Sequence, residues 1–175
     1  MILFAIFIIS SCSSLQTHSN NEPEKNQLSI IAFLQEIINT RKNYTINAFS
    51  RRAFTPYTTQ TKLLTHSFYA IIFDNDEYCT LSFCGKTSIF YSDGIWILNR
   101  KTDIKSYKLF LDGKNKWEVE YLYPDELINA CLTLNNIIRT MKSGAKYYYR
   151  DHLKDKPDSL NCNTAIYETI TFGSM

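Results

Sequence analysis

The amino-acid sequence predicts an α+β domain, in which an antiparallel β-sheet packs against helices. Apolar residues recur at helical spacing near the start of the chain and again after residue 124, whereas the stretch between them alternates short β-rich runs with turns. The chain has 175 residues, of which 45% are hydrophobic, so it can bury one core. We therefore expect a single folded domain.

The composition excludes several classes of protein. The 19 basic residues nearly balance the 17 acidic ones, and a net charge of +2 is too small to indicate a nucleic-acid partner. Twelve Tyr, eleven Phe and two Trp make the chain strongly aromatic, which argues against intrinsic disorder. Indications of function must therefore come from local motifs.

The first nine residues form an uncharged apolar run. A span of the bilayer needs about 20 residues, so this run is too short to cross but matches the core of a signal peptide. The segment Ile9-Ser10-Ser11-Cys12 resembles the bacterial lipobox, in which a branched and two small residues precede a lipidated cysteine. The resemblance implies a signal peptide over residues 1–11, a lipid on Cys12, and attachment of the mature protein to a membrane of the bacterial cell envelope.

The folded domain is expected over residues 27–175. Residues 12–26 before it are polar and aperiodic, which is typical of a tether. The domain begins with a helix predicted over Gln27–Arg41, where apolar residues lie close to helical spacing. The polar stretch Asn43–Lys62 contains Pro56 and several Thr, so we expect a loop there.

A series of strands is predicted from His66 onward. His66–Phe73 and Tyr78–Cys84 are β-rich, and Asp74-Asn75-Asp76 between them favours a turn. Ser92-Asp93-Gly94 and Asp112–Asn115 indicate two further turns. The other predicted strands are Thr87–Tyr91, Gly94–Leu98, Ser106–Leu111 and Trp117–Tyr121.

Helical spacing returns at Pro124, a residue that suits the first turn of a helix. The apolar stripe of this helix is expected to be buried, and it consists of Leu127, Ile128, Cys131, Leu134, Ile137, Ile138 and Met141. Gly144 is expected to end the helix. An extended segment over Lys146–Leu153 and a loop over Asp155–Ser159 then precede a last helix, predicted from about Asn161 to Thr171.

Cys162 falls in the first turn of this last predicted helix. The unpaired N–H groups and the dipole at a helix start stabilise negative charge, so they favour the nucleophilic thiolate. A thiolate also needs a base, and His66 opens the first predicted strand, where a strand end can lie beside a helix start. The main-chain amides near Cys162 are candidate donors for an oxyanion.

The segments Asn161-Cys162-Asn163-Thr164-Ala165 and Thr65-His66-Ser67-Phe68-Tyr69-Ala70 resemble the circularly permuted papain-like cysteine enzymes. These enzymes are relatives of NlpC-type peptidases and of lecithin retinol acyltransferase-like proteins. In that group the histidine precedes the cysteine in the chain. The resemblance covers roughly Thr65–Phe172 and implies a permuted NlpC-type architecture, with Cys162 as the nucleophile and His66 as its base.

The residue that would orient the imidazole of His66 is left open. Glu77 is the nearest acid, but it is predicted at the far end of a hairpin, about 20 Å away at roughly 3.3 Å per residue. Ser82, Thr87, Ser88 or a main-chain carbonyl are the alternatives. His152 is an alternative base.

The cysteines also allow roles other than catalysis. Cys162 can simply pack in the core, or it can bind a metal with Asp151 and His152, although no paired ligand spacing is present and no metal or cofactor is expected. The remaining cysteines are predicted to be buried apolar residues rather than a disulfide framework, because two of them face opposite sides of one strand. These are Cys79, Cys84 and Cys131.

The sequence therefore predicts an exported, lipid-anchored cysteine hydrolase, such as an amidase or peptidase, or an acyltransferase. Its expected partners are a membrane, reached through the lipid on Cys12, and a substrate such as cell-wall peptide or another amide or ester. The alternative is a non-catalytic surface lipoprotein of the same fold that binds a partner.

Overall fold

The computed structural model describes residues 23–40, 43–52, 65–86, 91–113, 119–148 and 159–173. In these residues the chain forms four α-helices: α1 (Pro23–Thr40), α2 (Lys101–Leu111), α3 (Ala130–Ser143) and α4 (Cys162–Thr169). It also forms seven β-strands there: β1 (Tyr44–Arg52), β2 (Thr65–Phe73), β3 (Tyr78–Gly85), β4 (Tyr91–Leu98), β5 (Val119–Tyr123), β6 (Lys146–Tyr148) and β7 (Ser159–Leu160). The predicted α+β class is confirmed.

The strands form one sheet in the order β5-β1-β2-β3-β4-β6-β7. Neighbouring strands are antiparallel except β6 and β7, which are parallel. Helices α1, α3 and α4 pack against one face and share the main core with it. Helix α2 packs against the other face, where Tyr107 contributes to a cluster with Phe49 and Phe68. Alternate side chains of β2 therefore point towards different helices.

Helix α1 confirms the first predicted helix. It begins at Pro23, so the last residues of the predicted tether are helical. Ile30, Leu34 and Ile37 are buried in the main core. The side chain of Gln27 donates to the main-chain oxygen of Trp96 at 2.7 Å and accepts from its N–H at 3.0 Å, which joins α1 to β4.

The predicted loop over Asn43–Lys62 is wrong in its first part, which is strand β1. Ile46 and Ala48 are fully buried in the main core. The polar Asn47 is also buried, and its Oδ1 accepts from the main-chain N–H of Asp125 at 2.9 Å. Such long-range hydrogen bonds let polar residues occupy a buried strand, which a pattern of hydrophobicity does not reveal.

The predicted strand over Ser106–Leu111 is also wrong, because these residues belong to helix α2. Asp103 and Tyr107 are buried on one side of the helix. Phe110, three residues after Tyr107, contacts the ring of Phe49 at a centroid distance of 4.9 Å. The aromatic residues favoured a strand by propensity, whereas packing against the sheet selects the helix.

The predicted turn at Ser92-Asp93-Gly94 is wrong as well, since these residues lie inside β4. Gly94 donates its N–H to the main-chain oxygen of Ala145 at 3.0 Å. A Cβ at this position would lie 2.0 Å from the ring of Phe83, so glycine is required here by close packing.

Helix α3 follows a short 3₁₀ turn and confirms the predicted helix after Pro124. Leu134, Ile137 and Ile138 are buried, and Gly144 ends the helix with a φ of 67°. The predictions that Leu127 and Cys131 are buried are wrong, because both are exposed. The α-helix begins only at Ala130, and this late start changes which side chains face the core.

Strands β2 and β3 and the turn between them confirm the predicted hairpin. Among the described helices, none is both long and apolar enough to cross a membrane. Several predictions lie outside the described residues. They concern the signal peptide over 1–11, Cys12, Thr87, Ser88, Asp151 and His152.

Candidate active site

The structure brings Cys162 and His66 together at the start of strand β2. Cys162 is the first residue of α4, and His66 is the second residue of β2. The thiol of Cys162 lies close enough to the imidazole of His66 for each group to shift the pKa of the other. Its Sγ also lies 3.9 Å from the main-chain oxygen of Thr65. Both side chains are nearly buried, with 7% of Cys162 and 6% of His66 exposed.

A capping box holds the first turn of α4. The side-chain oxygen of Asn161 accepts from the N–H groups of Asn163 and Thr164, each at 2.8 Å. The N–H of Asn161 in turn donates to the hydroxyl of Thr164 at 2.7 Å. These bonds satisfy groups that a helix start leaves unpaired, and they fix Cys162 at the first helical position.

Side chains of β2 hold α4 against the sheet. The hydroxyl of Ser67 donates to Asn163 Oδ1 at 2.6 Å, and the hydroxyl of Tyr69 donates to the main-chain oxygen of Ile166 at 3.1 Å. Ser67 and Tyr69 point to this face of the sheet, while His66, which directly precedes Ser67, points to the α2 face. Cys162 therefore lies at the end of the sheet, where the His66 ring can reach it.

Asp103 of α2 is the third member of the group, and sequence reasoning missed it. Its side chain is fully buried, and its Oδ2 lies 3.4 Å from Nε2 of His66. Its Oδ1 accepts from Nε of Arg51 at 2.9 Å. Arg51 pairs directly with His66 across β1 and β2, so both side chains point towards α2. The helical spacing of Asp103, Tyr107 and Phe110 was the signal that could have indicated this helix face.

None of the described residues that the sequence offered as partners for the His66 imidazole is the one that faces it. Glu77 accepts the main-chain N–H of Phe73 through its own main-chain oxygen, at the other end of β2. Ser82 is buried and helps to lower the pKa of Asp103, so it supports the carboxylate rather than the imidazole. Thr87 and Ser88 lie outside the described residues.

Asp103 is held as a carboxylate despite its burial. Burial alone would raise its pKa, but the hydrogen bond and charge of His66, the charge of Arg51 and the hydrogen bond of Ser82 together lower the pKa to about 2. A permanent negative charge therefore faces one nitrogen of the His66 ring.

The electrostatics of His66 and Cys162 favour a charged pair. Burial opposes the imidazolium, but the hydrogen bonds and charges of Asp103 and Cys162 outweigh it and raise the pKa of His66. Burial likewise opposes the thiolate, but the hydrogen bond and charge of His66 and the N–H groups of Ser67 and Asn163 lower the pKa of Cys162. The two pKa values thus move towards each other, as proton transfer from thiol to imidazole requires.

The other described cysteines form no disulfide, and their surroundings differ. Cys79 is buried in the main core, as predicted, whereas Cys131 is exposed. Cys84 is half-buried near Ser82, and burial raises the pKa of its thiol to about 11. Cys84 is therefore a neutral thiol at physiological pH.

A thiol, an imidazole and a buried carboxylate in contact can generate a nucleophile and carry its proton. Within the described ranges, no group of three or more His, Cys, Asp or Glu side chains could hold a metal ion. The metal site considered from the sequence includes Asp151 and His152, which lie outside those ranges. No protein-family model, curated protein or solved structure matches this chain.

Proposed function

We propose that this protein is a cysteine hydrolase or acyltransferase that attacks the carbonyl carbon of an amide or ester. Cys162 is the nucleophile, and His66 is the general base and then the general acid. Asp103 orients the imidazole of His66 and stabilises its protonated form. The observation that carries the proposal is the position of His66, which lies close enough to the thiol of Cys162 to shift its pKa and also meets the buried carboxylate of Asp103.

In the first half of the reaction, His66 takes the proton of the Cys162 thiol, and the resulting thiolate adds to the carbonyl carbon. The imidazolium then gives this proton to the leaving amine or alkoxide as the carbon–nitrogen or carbon–oxygen bond breaks. The products of this half are a thioester on Cys162 and a free amine or alcohol. Asp103 stabilises the imidazolium throughout, since its carboxylate stays ionised.

In the second half, His66 takes a proton from water or from an acceptor with a hydroxyl or amine group. The deprotonated oxygen or nitrogen adds to the thioester, and the carbon–sulfur bond breaks to regenerate Cys162. Water as the acceptor makes the protein a hydrolase, and another nucleophile makes it an acyltransferase. Both outcomes use the same three side chains.

The N–H of Cys162 is the candidate donor for the oxyanion. As the first residue of α4, Cys162 has no partner for its N–H within the helix. The next two N–H groups donate to Asn161 Oδ1 and are already used. A carbonyl attacked by Sγ of Cys162 would place its oxygen near the start of the helix, where positive partial charge stabilises it.

The proposal includes the permuted papain-like architecture and the location of the protein. A histidine on an early strand and a later cysteine at a helix start support the architecture. The apolar residues 1–9 and the lipobox-like segment that ends at Cys12 support export and lipid anchoring in a bacterial envelope. Such a location favours cell-wall peptide among the possible amide substrates.

The test is the rate at which the cysteines of the folded protein react with iodoacetamide at neutral pH. Cys131 is an exposed thiol in the same chain and serves as the internal reference. We expect Cys162 to react faster than Cys131 although it is almost buried, because its pKa is lowered. The variant His66→Ala should remove this advantage. A Cys162 that reacts more slowly than Cys131 would contradict the proposed function.

A second candidate function is partner binding without catalysis, and an exposed group of aromatic rings favours it. Tyr167 and Phe172 are 56% and 53% exposed, and both contact the ring of Tyr123. Exposed aromatic side chains in contact are common at binding surfaces. The iodoacetamide experiment discriminates between the two, because a binding protein has no need for an activated thiol.

A further inference from the structure

Arg100 has an unusual environment beside the candidate active site. It directly precedes α2 and is half-buried. Its Nη1 lies 3.2 Å from Sγ of Cys84. In the part of the chain that the structure describes, this thiol is the only side chain that hydrogen-bonds the guanidinium, and no carboxylate pairs with it.

No counter-charge pairs with Arg100 among the residues that the structure describes. Arg51, the other guanidinium at this site, is paired with Asp103. Cys84 cannot supply a negative charge, because burial keeps it a neutral thiol. The start of helix α2 adds positive partial charge rather than negative. A half-buried cation in these surroundings is stabilised when an anion binds to it.

Arg100 is connected to Cys162 by a short chain of neighbouring side chains. Cys84 lies near enough to Asp103 and Cys162 for their charges to raise its pKa. Cys84 also contacts Ser82, which helps to lower the pKa of Asp103. The guanidinium of Arg100 therefore lies on the same face of the sheet as the imidazole that activates the thiol.

We propose that Arg100 binds a carboxylate of the substrate, so that the enzyme selects acyl compounds with a negative charge close to the scissile carbonyl. A peptide with an acidic side chain or a free α-carboxylate next to the scissile bond has this chemistry. A guanidinium presents its donors in a planar fork that fits a carboxylate with two parallel hydrogen bonds. This inference rests on the proposed function and names the substrate class of the same site.

The test compares two alkylating probes that differ in charge. Iodoacetate is an anion and iodoacetamide is neutral, and with either probe the thiolate forms a carbon–sulfur bond as iodide leaves. The measured quantity is the ratio of the iodoacetate rate to the iodoacetamide rate at each cysteine of the full-length protein, resolved by mass spectrometry of its peptides. We expect this ratio to be higher at Cys162 than at the exposed Cys131.

Substitutions then assign the preference to Arg100. The variant Arg100→Gln removes the charge of Arg100. The ratio at Cys162 should then fall by about threefold to tenfold. Arg100→Lys keeps the charge and should retain most of the ratio. Lys101→Gln removes the charge of the exposed neighbouring residue and should leave the ratio unchanged.

Two results would overturn the inference. One is a wild-type ratio at Cys162 that does not exceed the ratio at Cys131, a comparison that needs no variant to fold. The other is a folded Arg100→Gln protein with the wild-type ratio. Failure of the proposed function has a different signature, because the neutral probe alone would then react no faster at Cys162 than at Cys131.

Discussion

The role of Asp103 can be tested by Asp103→Asn, which removes the charge but keeps the shape of the side chain. The partners of Asp103 outweigh its burial and lower its pKa from 3.8 to about 2, a net stabilisation of the carboxylate of about 2 kcal/mol. His66 and Arg51 are the charged groups that share this stabilisation. If about half of it acts on His66, the imidazolium loses about 1 kcal/mol, or about fivefold in its equilibrium constant.

The expected result is a shift in the pH dependence of the Cys162 reaction. The loss of the Asp103 charge should lower the pKa of His66 and shrink the alkaline side of the pH range in which thiolate and imidazolium coexist. The iodoacetamide rate at Cys162, measured from pH 5 to pH 9 and normalised to Cys131, should fall about fivefold near pH 7.

The matched control is Asp112→Asn, which removes an exposed carboxylate just after the end of the same helix. It should leave the pH profile as in the wild type. The reasoning would be refuted by an Asp103→Asn protein that keeps the wild-type secondary structure at the assay temperature and alkylates Cys162 with the wild-type pH profile.

Three further predictions concern stability and the helix start. Arg51→Gln leaves the buried carboxylate of Asp103 without its guanidinium, so urea denaturation should show a loss of about 3 kcal/mol in the free energy of unfolding. Arg51→Lys should restore part of this free energy. A loss below about 0.5 kcal/mol in Arg51→Gln would contradict the prediction. Because the folded pKa of Asp103 is lowered, its stabilisation is complete above the unfolded value near 3.8 and is lost as the pH falls through about 2. The difference in unfolding free energy between wild type and Asp103→Asn should therefore shrink from pH 5 to pH 2, and a constant difference would refute this assignment. Asn161→Ala removes the cap of α4, so it should lower the free energy of unfolding by about 1 kcal/mol and slow the alkylation of Cys162. Asn135→Ala, at an exposed position of α3, should not affect that alkylation.

The place of Cys162 was predictable because it depends on residues close in sequence. Asn161 before it and Thr164 after it form the capping box, and such a motif is local to a few residues. The hairpin of β2 and β3 was predictable for the same reason, since a turn connects two β-rich runs. The expectation that His66 would lie near Cys162 came from the kinds of element that carry them.

Asp103 and Arg51 could not be assigned in this way. Asp103 lies on a helix whose aromatic residues favour a strand by propensity, and Arg51 lies on a strand whose polar residues resemble a loop. The helix and the strand are each stabilised by packing against elements distant in sequence. Their roles at the site depend on the cross-strand pairing of Arg51 with His66 and on the position of α2 over that pair.

The sequence alone therefore determined the α+β class, the helix start that carries Cys162 and the strand that carries His66. Each of these follows from hydrophobic spacing, turns and capping within short segments. Only the tertiary structure decided which carboxylate faces His66 and which arginine pairs with it. Strand register and helix packing decide such contacts, because they bring together side chains that are dozens of residues apart in the chain.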